Sequence, residues 1–187
     1  MIQLRSVTKK YKNNYALKNI NLDILSGEFV FITGASGAGK STLIKMLYKE
    51  ETPTTGTVLI GGINIANLPP EKVPNLRRCM GIVFQDYKLL QNQSVYDNIA
   101  YVIRTLGISS SEIRNRVTGA LKVVGLLDKA KAKPSELSGG EQQRVSIARA
   151  LVKKPEILIL DDSASALDYA TDLKLRKAIH GMEKTPV

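Results

Sequence analysis

A glycine-rich segment constrains this chain more than any other feature. Residues 34–42 read Gly-Ala-Ser-Gly-Ala-Gly-Lys-Ser-Thr and match the pattern G-x-x-x-x-G-K-[ST]. The run Glu28–Thr33, rich in β-branched and aromatic residues, comes before the segment, and a helical stretch from Lys40 to about Lys49 follows it. A buried strand, a glycine-rich turn and a helix in this order predict a phosphate-binding loop.

The residue types of this loop suit phosphate binding. Glycines let the backbone turn so that successive N–H groups face phosphate oxygens, and the start of the helix adds partial positive charge. We expect Lys40 to reach the β and γ phosphates and the Ser41 hydroxyl to bind Mg²⁺. The predicted nucleotide-binding residues of the loop are Gly34, Ala35, Ser36, Gly37, Ala38, Gly39, Lys40, Ser41 and Thr42.

Two carboxylates, Asp161 and Asp162, follow the apolar run Leu158–Leu160. Parallel α/β sheets place ligands at the carboxyl ends of their strands. Asp161 is therefore predicted to support Mg²⁺ near the phosphate loop, and Asp162 to face the attacking water. The alternative for a carboxylate at a strand end is that it only caps a turn.

Further predicted strands and helices divide the chain into a strand-rich part and a helical insertion. Apolar stripes at helical spacing run through Ser94–Val152, with Gly107 and Gly125 as stops, and strand character returns at Ile157. We expect one domain with two lobes. The other predicted strands are Ile2–Val7, Ala16–Leu25, Gly56–Ile60 and Met80–Phe84.

Composition narrows the class of protein. No apolar run approaches the roughly 20 residues that span a bilayer, and no signal peptide opens the chain, so we expect a cytosolic protein. The single cysteine, Cys79, cannot form an internal disulfide. The net charge of +10 is spread along the chain and no nucleic-acid motif accompanies it, so no nucleic-acid partner is expected.

The segment Leu137–Arg144 reads Leu-Ser-Gly-Gly-Glu-Gln-Gln-Arg and resembles the signature of ABC-type ATP-binding cassettes. Gln85 resembles their Q-loop glutamine, Ser165–Asp168 their D-loop, and Tyr11 the aromatic residue that stacks on adenine. The signature residues Ser138, Gly139 and Gly140 lie just before a predicted helix, Gln142–Leu151, where hydroxyl and backbone N–H groups form a second anion site.

The resemblance implies an α/β P-loop NTPase with a RecA-like core, an antiparallel β lobe and a helical subdomain. It makes residues 1–187 one ATP-binding domain: 1–86 the core and β lobe, 87–152 the helical subdomain, and 153–187 a core strand and helix. It implies ATP and Mg²⁺ as cofactors and a homodimer around two ATP molecules, in which one subunit's signature closes on the γ-phosphate held by the other. Lys40, Gln85 and Asp162 would be catalytic, and Ser41, Gln85 and Asp161 would hold the metal.

Within this superfamily, three stretches resemble the FtsE cell-division ATP-binding proteins: Gly27–Ile32, Lys49–Gly56 and Val83–Leu90. That resemblance implies a polytopic membrane partner of the FtsX type and a peripheral position on the cytoplasmic face of the plasma membrane, with membrane contact only through the partner. We expect the partner to bind the segment Tyr87–Val95, with Leu89 and Leu90 in the contact. Residues after about 150 look more like half-size ABC exporter cassettes, so another exporter remains an alternative.

The chain departs from the family pattern near its end. Asp161-Asp162-Ser163-Ala164 stands where these ATPases usually have Asp-Glu-Pro-Thr, and Asp162 is one methylene shorter than Glu. We therefore expect slow hydrolysis, with a non-hydrolysing ATP-binding module as the alternative. A third alternative, a soluble ABC protein acting on DNA or ribosomes, normally carries tandem cassettes or coiled coils. The resemblance also implies that the terminal strands, with the switch histidine, are missing.

Overall fold

The computed structural model describes residues 1–161 of the 187. The chain forms two compact units, the β unit (Met1–Arg77) and the helical unit (from Arg78 onward). This division into two units does not test the predicted boundary between the core and the helical subdomain at residue 86. None of the helices within residues 1–161 is both long and apolar enough to cross a bilayer.

The β unit is built on a four-stranded antiparallel sheet in the order β2-β1-β3-β4. Leu4, Val7 and Val58 are fully buried. Leu4 and Val7 are three residues apart, and the register of β1 shifts between them, which interrupts the alternation of the strand. The helix α1 (Lys40–Leu47) contacts β2 and β3, and α2 (Val73–Arg78) lies at the end of the unit. The strands are β1 (Ile2–Tyr11), β2 (Asn14–Ile24), β3 (Thr55–Ile60) and β4 (Ile63–Asn64).

Within residues 78–161 the helical unit combines a parallel pair of strands with three α-helices. Strand β5 (Met80–Val83) pairs with β6 (Ile157–Leu160), and the register places Val83 beside Leu160. A serine caps the start of each helix: Ser94, Ser109 and Ser138 accept hydrogen bonds from backbone N–H groups three residues on. The helices are α3 (Val95–Arg104), α4 (Ser110–Val123) and α5 (Gly139–Leu151).

The predicted apolar stripes of the helical unit are confirmed. Their members form one buried cluster with apolar residues of α5 and of β5. Each stripe repeats at three- and four-residue spacing, so its side chains share one helix face. The stripe residues that are buried are Val95, Ile99, Ile103, Ile113, Val117, Leu121 and Val124.

The strand predicted at Glu28–Thr33 was wrong: the structure has no strand there. The side chains of Phe29 and Phe31 are 57% and 68% exposed, and their rings meet edge to face at 4.9 Å. A strand needs a hydrogen-bonded neighbour. Within residues 1–161 the ladders join β2, β1, β3 and β4, or β5 and β6, and neither ladder includes this segment. An apolar run in the sequence indicates that a segment tends to be buried, but it does not identify the strand with which the segment would pair.

Candidate nucleotide-binding site

The loop between Glu28–Thr33 and α1 is open to solvent. Residues 34–38 are exposed, and the Ala38 N–H donates to the Ala35 carbonyl oxygen at 3.1 Å, which closes a turn. Gly37 and Gly39 have φ angles of 78° and 93°, in the left-handed region that favours glycine. The loop is therefore a tight exposed turn of the kind that presents backbone N–H groups to an anion.

Gly39 lies against the backbone of β2. A Cβ atom at this position would be 2.2 Å from the Ala16 carbonyl oxygen and 2.9 Å from a methyl carbon of Leu17. Gly39 is also the N-cap residue of α1, and no side chain among the described residues caps that helix. The absence of a cap leaves the first-turn N–H groups of α1 available for an anionic ligand.

Lys40 folds back over the loop. Its Nζ atom donates to the carbonyl oxygens of Gly34 and Ala35 at 2.7 and 2.9 Å. No ion pair within residues 1–161 involves Lys40, so its cation is held by neutral carbonyl groups. Ser41, in the first turn of α1, is exposed. The loop thus combines a cation, a hydroxyl and N–H groups, which fits a polyphosphate and its metal ion.

Tyr11 ends β1 and is 42% exposed. The Lys9 ammonium lies 4.8 Å from the centre of its ring and pairs with Glu51 at 2.6 Å. Tyr11 pairs with Asn14 at the start of β2, two residues before the Ala16 carbonyl that Gly39 faces. Two residues of strand span about 7 Å, so Tyr11 and the loop share one end of β2.

In the helical unit, Gln85 and Asp161 lie at the carboxyl ends of adjacent parallel strands. Gln85 follows β5 in an exposed turn, and Asp161 follows β6. The Asp161 N–H donates to the Val83 carbonyl oxygen at 3.0 Å, which continues the ladder of the two strands. The structure therefore brings these two proposed metal ligands to the same edge of the sheet, where the carboxyl ends of parallel strands meet.

The predicted signature residues begin α5. Ser138 caps the helix: its Oγ atom accepts from the Glu141 N–H at 3.3 Å, and the Glu141 carboxylate accepts from the Ser138 N–H at 2.9 Å. This reciprocal pair is a capping box. Ser138 and Gly139 are exposed, and a Cβ atom on Gly139 would lie 3.8 Å from the Tyr87 hydroxyl. The signature is thus next to the loop that follows Gln85.

The Glu141 carboxylate also pairs with Lys129 at 2.7 Å. The hydrogen bond from Lys129, followed by those from Ser138, lowers the pKa of Glu141 to about 2. Glu141 is therefore ionised at neutral pH, and Lys129 balances its charge at the start of α5. The hydroxyl of Ser138 donates to the same carboxylate at 3.2 Å, which orients it.

The expected partner contact at Leu89 was wrong. Leu89 is 8% exposed and belongs to the apolar cluster of the helical unit, so a charge there would enter the core. Leu90 is 41% exposed and is held by buried Asn98, whose Oδ1 atom accepts from the Leu90 N–H at 2.8 Å. Two neighbouring leucines after β5 have similar hydrophobicity, and the sequence did not distinguish the buried one from the exposed one.

Two of the singled-out features lie outside the described residues: Asp162 and the segment Ser165–Asp168. Sequence reasoning missed Arg149, whose guanidinium donates to the backbone of Tyr87 and Lys88. An arginine in the last turn of a helix is common, and no sequence pattern indicates which carbonyl groups it contacts.

Comparisons of this chain with known sequences and with solved structures agree with one another. The family model described as ABC transporter matches residues 17–165. The cell division ATP-binding protein FtsE of Bacillus subtilis is 44% identical over 96% of this chain and 79% of its own length. FtsE of Escherichia coli is 47% identical over 91% of this chain and 77% of its own length. The ATP-binding cassette MJ0796, solved as a dimer bound to ADP and Pi, superposes with a TM-score of 0.90 at 38% identity, over 98% of this chain and 83% of that one.

Proposed function

Since this chain belongs to the ABC transporter family, among the FtsE-like ATP-binding cassettes, we propose that it is the ATP-hydrolysing subunit of a membrane complex that acts in cell division. The observation that carries the proposal is the loop of residues 34–42: residues 34–38 are exposed, Lys40 is folded over them, and no side chain within residues 1–161 caps α1. A loop of this kind supplies the N–H groups and the cation that a nucleotide's phosphates require.

The proposed roles follow from the chemistry of each group. Residues 34–42 hold the phosphates, with Lys40 as the mobile cation, and the exposed ring of Tyr11 stacks on adenine. Ser41, Gln85 and Asp161 are the proposed Mg²⁺ ligands, since hydroxyl, amide and carboxylate oxygens are what this ion prefers. The metal would neutralise charge on the transferred phosphate.

We propose a homodimer with two shared sites. The exposed signature at Ser138 and Gly139 lies at the start of α5, where partial positive charge favours an anion. One copy's signature would close on the γ-phosphate bound to the loop of the other copy. The dimeric state of the similar cassette MJ0796, bound to ADP and Pi, supports this arrangement.

Asp162 is the proposed catalytic carboxylate, with Gln85 and Lys40 as the other catalytic residues. Asp162 is shorter than the glutamate usual at this position, and general-base catalysis needs a separation of roughly 2.6–3.2 Å from the water. Hydrolysis is therefore expected to be slow. A nucleotide-binding module that does not hydrolyse ATP is the second candidate function, and the same substitution favours it.

The proposed partner is a polytopic membrane protein of the FtsX type. The chain would lie on the cytoplasmic face of the membrane and touch the membrane only through this partner, with no nucleic acid involved. The exposed part of Tyr87–Val95, which includes Leu90 and excludes Leu89, is the proposed contact. The names of the FtsE relatives, which are cell-division proteins, support the role in division.

A mixing experiment tests the proposed ATPase and its shared sites together. Lys40→Ala removes the loop cation, and Gly139→Asp places a carboxylate in the signature without a clash, because the space at Gly139 is open to a Cβ. Each variant alone should lose Mg-ATP turnover. A one-to-one mixture should recover part of it, because mixed dimers contain one loop and one signature that are both intact.

Phosphate release by the wild-type chain is the reference for this experiment. No recovery in the mixture, from variants that are folded and individually inactive, would contradict the shared sites. Nucleotide binding without any phosphate release by the wild type would favour the non-hydrolysing module.

A further inference from the structure

Arg149, near the end of α5, holds the loop that follows Gln85. Its Nη1 atom donates to the Lys88 carbonyl oxygen at 2.6 Å, and its Nη2 atom donates to the Tyr87 carbonyl oxygen at 2.5 Å. Ser146, one turn earlier on α5, donates to the same Tyr87 oxygen at 3.4 Å. A single helix thus fixes two successive carbonyl groups of this loop.

The backbone of the loop is strained where Arg149 holds it. Tyr87 and Lys88 have φ angles of 57° and 46°, in the left-handed region that residues with a Cβ atom seldom adopt. Two such residues in succession need interactions that compensate for the strain. The forked guanidinium donates from two separate nitrogens, one to each carbonyl group, which a single hydroxyl could not do.

The charge of Arg149 faces backbone carbonyl groups. Within residues 1–161 no ion pair involves it, and its recorded bonds go to neutral carbonyl groups. Burial lowers the pKa of the guanidinium. A partly buried cation without a carboxylate is costly unless its donors are satisfied, so the position of the loop and that of the guanidinium depend on each other.

The loop and α5 each carry one phosphate-facing element of the proposed site. Gln85 lies two residues before Tyr87, and Ser138 begins the helix that contains Arg149. We propose that Arg149 is a positioning residue, which ties the Gln85 loop to the signature helix so that Gln85 and Ser138 move as one body. This inference rests on the proposed ATPase function. Arg149 would then act on hydrolysis through Gln85 and without touching the nucleotide.

The test is a double-mutant cycle on ATP hydrolysis by the full chain. Arg149→Ala should lower kcat by about tenfold or more, because a small displacement of a catalytic group has a large effect on rate, while the KM for ATP changes little. Arg149→Lys, which keeps the charge but not the fork, should lie between the wild type and the alanine variant. In a Gln85→Ala background, Arg149→Ala should have no further effect.

Arg116→Ala is the matched control, since this arginine pairs with Glu112 on the surface of α4. It should leave kcat unchanged. If Arg149→Ala does not fold in a thermal melt, the cycle is run with Arg149→Lys. Equal reductions of kcat in the wild-type and Gln85→Ala backgrounds would mean that Arg149 does not act through Gln85 and would overturn the proposal. An unchanged kcat in a folded Arg149 variant would overturn it as well. A wild-type chain without any turnover would overturn the proposed function itself, and this inference with it.

Discussion

At Gly39 the requirement for glycine comes from two sources. Its φ angle of 93° is left-handed, and the Ala16 carbonyl oxygen occupies the space that a Cβ would need. The sequence pattern predicted a glycine in a phosphate-binding loop, but not that β2 forms the wall behind it, because that contact joins residues more than 20 positions apart. Lys40 was predicted to reach the β and γ phosphates, and in the structure its Nζ atom donates to two carbonyl oxygens of the loop.

Gly39→Ala is therefore expected to destabilise the fold more than the replacement of a glycine that has open space around it. Left-handed strain alone costs about 1–2 kcal/mol, and Gly39→Ala must also displace β2. Gly61→Ala is the matched control, since Gly61 has a φ angle of 56° and open space around it. Thermal melts should show a larger loss of stability for Gly39→Ala, and ATP titration should show an affinity reduced about tenfold or more. Equal effects of the two changes would contradict the role of the β2 contact.

Among the elements, α5 begins with residues that both cap the helix and belong to the proposed signature. Ser138 and Glu141 form a capping box that could be predicted from their spacing alone. The apolar stripes of α3 and α4 were equally readable, because a helix that buries one face must repeat its apolar residues at that spacing. The conformation of Glu28–Thr33 could not be predicted in this way, because a strand depends on a neighbouring strand that the local sequence does not identify.

Ser138→Ala should affect stability and turnover together. Loss of a serine cap costs about 0.5–2 kcal/mol, and the change also removes the hydroxyl proposed to face the γ-phosphate. Ser109→Ala is the control, because Ser109 caps α4 with the same 3.3 Å bond to the N–H three residues on. Both variants should lower the free energy of unfolding by similar amounts, but only Ser138→Ala should lower the kcat of ATP hydrolysis. Similar turnover in the two variants would confine Ser138 to a capping role.

For the whole molecule, the sequence predicted the α/β class and the family, and both are confirmed. The elements of the proposed site could be suggested from the sequence because glycine, lysine and carboxylate motifs act locally and keep their spacing. Leu89 was wrongly placed in the partner contact, and Arg149 was missed. The burial of Leu89 and the hydrogen bonds of Arg149 both depend on contacts between residues far apart in sequence.

Equilibrium dialysis with labelled ATP is the most direct measurement of the central claim. Lys40→Ala should abolish binding at millimolar nucleotide, because the loop would lose the cation proposed to face the phosphates. Lys45→Ala is the matched control on the same helix, since Lys45 pairs with Glu50 and is 42% exposed. The expected result is binding by the wild type and by Lys45→Ala, and none by Lys40→Ala. Equal ATP binding by all three chains would contradict the assignment of residues 34–42 as the nucleotide site.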